Sequence, residues 1–392
     1  MISVNEAKGI IKDNVEVLPS IKLSLADAVG YVLSIDVFST IDFPPFNQSS
    51  VDGYAIAFKD VHERLIIDGE VAAGNNKSMS LFPKHTMRIF TGAAVPDNAD
   101  TVVMQEKVVI ENNELIIHDE VLQQGLNFRP KGKDIKQNAL ALQKDDYLSA
   151  GAVGFLAGLG ITEVSVYKKP SISIIITGNE LQQPGNILQH GEVYESNSVT
   201  LKAALHQLHF NDVEILHVDD NLNRLTSTLN NALENSDVVM LCGGISVGDY
   251  DFVLQAATYC GVEKLFHKIK QRPGKPLYFG KKNNKIVFGL PGNPSSVLTC
   301  FYKYVIMALE IMTNKKNIIK VVKATLANDY KKIAGLTFFL KGLYADDKVF
   351  ALDAQESYRL SSYAKANCLI ILEEDKTEYK KNDIVEVHIL PN

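Results

Sequence analysis

The residues of this chain best suited to chemistry fall in two glycine-centred turns and the cations between them. In Gly243-Gly244-Ile245-Ser246-Val247-Gly248 the glycines let the backbone approach an anion closely, and Ser246 adds a hydroxyl donor. An ordinary strand-to-helix turn has the same composition. In Pro291-Gly292-Asn293-Pro294, Asn293 can cap and Pro294 can begin a long helix from Ser295 to Met312, whose free amides would point at an anion. Simple capping of a buried helix is the plainer reading. Lys268, Lys270, Arg272 and Lys275 surround Pro273-Gly274 and could hold a phosphate or another oxyanion. Arg129, Lys131 and Lys133, ending at Asp134, form a second basic group, and either group could equally be a solvated face. Asp52, Asp134, Glu180, Asp219 and Asp251 occur at loop positions. Hard oxygen ligands of this kind suit magnesium bridged to phosphate, although each one singly also reads as a turn residue or cap. The nine histidines show no HExxH spacing, and neither Ser246 nor Ser295 sits in a nucleophile elbow, so hydrolase readings are weak.

The elements around these loops predict an α/β sheet. Ile172 to Thr177 reads as a fully buried strand, and Val213 to Val218 and Val238 to Cys242 as further strands, alternating with helices from Ser198 to Leu208 and from Leu222 to Leu233. All-apolar strands between amphipathic helices imply a parallel sheet covered on both faces, with ligands beyond the carboxyl ends of its strands. Upstream, Ser3-Val4-Asn5-Glu6 is a capping box for a helix to about Asp13, and Ser24 can cap a second helix, Leu25 to Leu33. From Asp52 to about Gln137 the chain turns β-rich, with a hairpin at Glu111-Asn112-Asn113-Glu114, and a small helix follows between Ser149 and Gly160. Beyond Asn317 the pattern is again strand-like, as in a small barrel or sandwich.

The expected architecture is therefore multidomain, α/β plus β. Residues 1–43 with 138–168 form a small helical linking domain and residues 44–137 an inserted β-rich domain. Residues 169–313 form the central three-layer α/β domain with a parallel-type sheet, and residues 314–392 a C-terminal β-barrel. The length of 392 residues agrees with several cores, and 46% hydrophobic with 22% charged residues is an ordinary folded composition. A net charge of -6 argues against nucleic acid as a partner. Four cysteines, Cys242, Cys260, Cys300 and Cys368, form no CxxC pair and read as buried thiols. Without a leader-like start or a long apolar run, the expectation is a cytoplasmic chain with no membrane partner.

Taken in order, the motifs resemble the molybdopterin molybdenumtransferase family, called MoeA in bacteria and represented in animals by the gephyrin E domain. The likeness runs through Ser50-Val51-Asp52-Gly53-Tyr54, Arg88-Ile89-Phe90-Thr91-Gly92 and Thr177-Gly178-Asn179-Glu180. It continues through Gly243 to Gly248, Pro273-Gly274-Lys275-Pro276 and Gly289 to Pro294, and so spans essentially the whole chain. The resemblance implies an enzyme that takes adenylylated molybdopterin and molybdate with Mg2+, inserts molybdenum at the dithiolene and releases AMP. It assigns Asp52, Thr91, Glu180, Asp219, Asp251, Lys268, Arg272 and Lys275 to the reaction, with Asp52, Glu180 and Asp251 on the metal. Arg129, Asp134, Gly243, Gly244, Ser246, Pro291, Gly292 and Pro294 would bind substrate. The resemblance also implies a homodimer in which Ser361 and Ser362 reach a shared cleft, and contact with molybdopterin adenylyltransferase. Two other readings remain. One is the adenylyltransferase itself, which would not need residues 1–168 or the β-rich tail; the other is a scaffold of the same fold without catalysis.

Overall fold

The computed structural model describes residues 1–245 and 252–391. The chain divides into two compact units, one comprising Met1–Ile21, Gly30–Ser34 and Ser165–Asn392, the other Lys22–Val29 and Ile35–Val164.

In the first unit, Ile172–Thr177 is buried at every residue because it lies inside a sheet covered on both sides. Ile172, Ile174 and Ile176 pack on one face with Leu201, Leu205, Val297 and Phe301, whereas Ile175 packs on the other with Leu225, Leu229 and Val239. That division follows from the two-residue period of a strand. The sheet order is Val213–Val218, Ile172–Thr177, Val238–Cys242, Lys285–Leu290, Pro276–Lys282, Glu263–Lys268. The first four strands are parallel, as expected, with Ile174 registered against Ile215 and Met240. Pro276–Lys282 runs antiparallel to Lys285–Leu290, and Glu263–Lys268 antiparallel to Pro276–Lys282 in turn. The short links explain the change of direction. Lys282 pairs with Lys285 across Asn283, whose φ is 54°, and a tight hairpin can join only antiparallel strands.

The helix Val4–Asn14 carries the expected capping box, with the Ser3 amide donating to Glu6 at 2.6 Å and the Glu6 amide to Ser3 Oγ at 3.2 Å. The long helix Pro294–Met312 has the length and apolarity of a membrane span, but 78% of it is buried inside the fold, so it is a core helix. Its turns at Phe301–Val305 widen to π geometry.

The C-terminal strands Lys320–Leu326, Thr337–Ala345, Lys348–Ala351, Cys368–Leu372 and Ile384–Ile389 close on themselves, because Thr337–Ala345 pairs with both Lys348–Ala351 and Cys368–Leu372. They form a five-stranded barrel around Leu340, Val349, Ile370 and Val387. Gln271–Arg272 adds to the barrel by pairing in parallel with Thr337 and Phe338.

The second unit holds a six-stranded sheet in the order Thr101–Met104, Gly53–Ile56, His85–Ile89, Leu65–Val71, Glu114–Ile117, Val108–Glu111. Asn112 and Asn113 take φ of 48° and 68°, the conformation that a two-residue hairpin demands. Ser149 caps Ala150–Gly158, accepting from the Ala152 amide at 3.2 Å. The expected helix from Leu25 to Leu33 is absent. Only a 3-10 turn, Leu25–Asp27, forms there; Ser24 makes no side-chain cap, and Gly30 with φ of 85° leaves helical geometry. All four cysteines are buried and free.

Candidate active site

A cavity of about 1250 Å³ opens beyond the carboxyl ends of the parallel strands in the first unit. Its floor is built by strand ends that must turn sharply. Thr177 closes one strand and donates from its hydroxyl to Asp220 Oδ1 at 2.5 Å. The Asp220 amide donates to Asn179 Oδ1 at 3.1 Å, and the Asn179 amide donates back to Asp220 Oδ2 at 3.3 Å. Two successive strand-end loops are thereby locked together, and Glu180 stands exposed beside them on the cavity wall.

Gly243 follows Cys242 with φ of 96°, and a Cβ built on it would lie 2.4 Å from the Thr177 carbonyl oxygen. Only glycine allows that approach. A Cβ on Gly292 would come within 3.9 Å of Gly243 Cα, so the two glycine turns face each other directly. Cys242 beneath them is no nucleophile: burial, reinforced by the Glu195 charge, pushes its thiol up and keeps it protonated.

The cationic wall is the loop from Gln271 to Pro276. Gln271 is 1% exposed and holds the loop from inside, donating to the Gly274 carbonyl at 2.8 Å and accepting from the Tyr304 hydroxyl. Gly274 has φ of 80°, and a Cβ there would meet Cys300 Sγ at 2.5 Å. With the backbone fixed, Arg272 and Lys275 project as exposed side chains lining the cavity. Among the described residues no carboxylate forms a salt bridge with either one. Arg272 lies over the Phe338 ring, its Cζ 5.4 Å from the centroid. Two cations that no carboxylate among the described residues pairs with, in a concave site, suit an oxyanion.

The fourth wall comes from the barrel. Asn293 precedes the long helix but does not cap it with its side chain; Nδ2 donates instead to Ser357 Oγ at 2.9 Å. Ser357 belongs to the segment Gln355 to Tyr358, which lines the cavity. Lys341, 1% exposed, anchors that segment by donating to the carbonyls of Ala354 at 2.8 Å and Arg359 at 3.2 Å, and to Ser295 Oγ at 3.0 Å. Burial lowers its ammonium to about 8.

In the second unit, Asp52 Oδ1 accepts from both the amide and the hydroxyl of Thr91, each at 2.8 Å. These bonds hold the Asp52 carboxyl below its ordinary range, the amide contributing most. Arg129 and Asp134 are exposed in the same unit.

Of the residues chosen from sequence, Glu180, Gly243, Gly244, Arg272, Lys275, Pro291, Gly292 and Pro294 line one cavity. Asp219 does not. It pairs with Arg224, and the adjacent Asp220 turns inward instead. Lys268 lies on the edge strand outside the lining; its carbonyl accepts from the Ile2 amide. Ser361 is exposed, and the buried Ser362 donates to the Ala354 carbonyl at 2.9 Å; neither lines the cavity. Ser246 and Asp251 lie outside the described residues. Glu195, Asn197 and Gln271 also line the cavity but have no motif around them in the sequence; their signal is spatial, a polar residue that the fold brings to the glycine turns.

Comparison with known proteins places these features in a family. The MoeA N-terminal region (domain I and II) matches residues 2–160, a probable molybdopterin binding domain matches residues 173–311, and the MoeA C-terminal region (domain IV) matches residues 323–390. The chain is 32% identical to the molybdopterin molybdenumtransferase of Haemophilus influenzae over 93% of this chain and 92% of the relative. It is also 32% identical to the enzyme of the same name from Staphylococcus epidermidis, over 98% and 95%. The crystal structure of the molybdopterin biosynthesis MoeA protein from Pyrococcus horikoshii OT3 superposes with a TM-score of 0.81 at 28% identity, covering 99% of this chain and 100% of that one. With two glycine turns, Arg272 and Lys275 around one cavity, and this likeness from end to end, the chain belongs to the MoeA family of molybdopterin molybdenumtransferases.

Proposed function

We propose that the cavity binds adenylylated molybdopterin and that the chain inserts molybdenum from molybdate into it, releasing AMP. The observation that carries this reading is the convergence of Gly243, Gly292, Arg272 and Lys275 on one space. The glycine turns bring main-chain atoms close to the nucleotide phosphates. Arg272 and Lys275 counter the repulsion between two anions, phosphate and molybdate, that must meet in one site. Arg272 offers a planar fork and Lys275 a point charge, so the former suits bidentate contact.

Magnesium belongs to the same reading. Among the described residues no three of His, Cys, Asp and Glu gather as an all-protein metal cage. Mg2+ does not need one, since it commonly keeps waters and binds through one or two carboxylates plus phosphate. Glu180 and Asp220, hard oxygen donors on the cavity wall, fit that role. Bound there, the ion would neutralise the phosphoanhydride. Asp52, placed on the metal by resemblance, lies in the second unit, and Asp251 outside the described residues. The adenylyltransferase reading is not favoured, because the matches to the MoeA N- and C-terminal regions lie outside the α/β domain. A homodimer, a cytoplasmic location and contact with molybdopterin adenylyltransferase complete the proposal; light scattering tests the first.

Purified protein given adenylylated molybdopterin, molybdate and magnesium should release AMP only when molybdate is present. Glu180→Ala and Asp220→Ala should still bind nucleotide but turn over at least about tenfold more slowly. Release without molybdate, or none at all, would sink the transferase reading.

A further inference from the structure

The loop that carries Arg272 and Lys275 is pinned from behind by a chain of buried polar groups that no ligand in the cavity needs to touch. Tyr304 is fully buried in the core that includes Phe301, Val305 and Phe339. Its hydroxyl donates to Gln271 Oε1, and Gln271 Nε2 donates to the Gly274 carbonyl at 2.8 Å and to Cys300 Sγ at 3.6 Å. Both polar atoms of the Gln271 side chain are thereby partnered. A flip of its amide would set Oε1 against the Gly274 carbonyl, so the Tyr304 hydroxyl decides which end faces the loop. Burial pushes the Tyr304 phenol well above its ordinary range, and it stays a donor through the neutral range.

The fit at the loop is close. A Cβ on Gly274 would lie 3.0 Å from Gln271 Nε2 as well as 2.5 Å from Cys300 Sγ. Tyr304 stands in the π turns Phe301–Val305 of the long helix. Widened turns of this kind re-aim side chains and recur at functional sites. Stability alone does not call for such a chain, because replacing both partners of a buried hydrogen bond by apolar groups of similar shape is often nearly neutral. What the chain supplies is a fixed Gly274 carbonyl, in the stretch of backbone between Arg272 and Lys275.

We propose that Tyr304 is a positioning residue whose hydroxyl, acting through Gln271, holds the loop of Arg272 and Lys275 in the form that grips an oxyanion. The inference rests on the reading of that loop as the anion-holding wall of the cavity.

AMP and molybdate, titrated separately into the full chain by calorimetry, test it, with stability followed by chemical denaturation. Arg272→Ala identifies which of the two anions the loop holds. Tyr304→Phe, which removes a single oxygen, should weaken that anion by about tenfold. Combining Tyr304→Phe with Gln271→Met leaves no unpaired polar atom on either side chain, so stability should return toward the wild-type value while affinity stays low. A merely structural role couples the two, and affinity would then return with stability. Affinity that recovers in the double variant, or that Tyr304→Phe leaves unchanged while Arg272→Ala weakens it, would overturn this inference alone. Binding of neither anion by the wild type, or no effect of Arg272→Ala on either, would overturn the anion reading of the loop and this inference with it.

Discussion

Asp52 takes two donors from one residue, Thr91, through a single carboxylate oxygen. Both donors favour the ionised form, so the folded pKa lies below the ordinary 3.8. A group depressed in this way contributes stability that is present above its ordinary value and lost as pH falls through the folded one. Asp52 is consequently charged throughout the neutral range. Thr91→Ala removes the hydroxyl and leaves the amide, so the Asp52 midpoint should rise part of the way toward 3.8. Carboxyl-carbon NMR titration checks this, and an unmoved midpoint would remove the hydroxyl from the account. Residue choice also shows how far sequence carries at this scale. Gly243 was legible because no other residue tolerates its φ and its approach to Thr177. Asp219 and Asp220 are neighbours of identical type, and nothing in their order tells which one turns toward Thr177 and which pairs with Arg224.

Elements were legible where burial dictated composition. The strands Ile172–Thr177 and Val238–Cys242, buried at every residue, have the bounds expected from their apolar runs, and the edge strand Val213–Val218, with no residue fully buried, also has the expected bounds. The edge strand Glu263–Lys268 and its neighbour Pro276–Lys282 are not legible in the sequence, because lysines and Gly280 interrupt their pattern. The helix anticipated after Ser24 fails because a serine before an apolar run is not a cap unless its oxygen meets an amide, and this one meets none. Asn293 makes the same point at the long helix, where its side chain is spent on Ser357. Asn293→Ala should therefore cost less than the ~1 kcal/mol usual for a lost cap. It should still raise KM for the nucleotide, by loosening the segment from Gln355 to Tyr358. Thermal denaturation and initial-rate kinetics separate the two effects; a full capping loss with unchanged KM would contradict this assignment.

At the scale of the whole molecule, the expected combination of a covered α/β sheet, a β-rich region and a C-terminal barrel is the one observed, since each has its own hydrophobic core. What periodicity did not convey was how the barrel reaches the cavity. Gly342 sits where its strand is pressed from both sides: a Cβ there would lie 2.9 Å from Ile370 Cγ1 and 3.0 Å from the Phe350 carbonyl oxygen. Gly342→Val should destabilise the fold by about 1–3 kcal/mol and weaken nucleotide binding along with it. Chemical denaturation and calorimetry would check both. Retained affinity in a destabilised variant would show the cavity to be independent of the barrel.

The short parallel rung between Gln271–Arg272 and Thr337–Phe338 gives that dependence a physical clock. The Thr337 amide, which donates to the Lys270 carbonyl at 2.9 Å, cannot exchange its hydrogen without parting the barrel from the segment that presents Arg272. Its deuterium uptake therefore counts the openings of the anion-holding loop, in a protein carrying no label and no bound substrate.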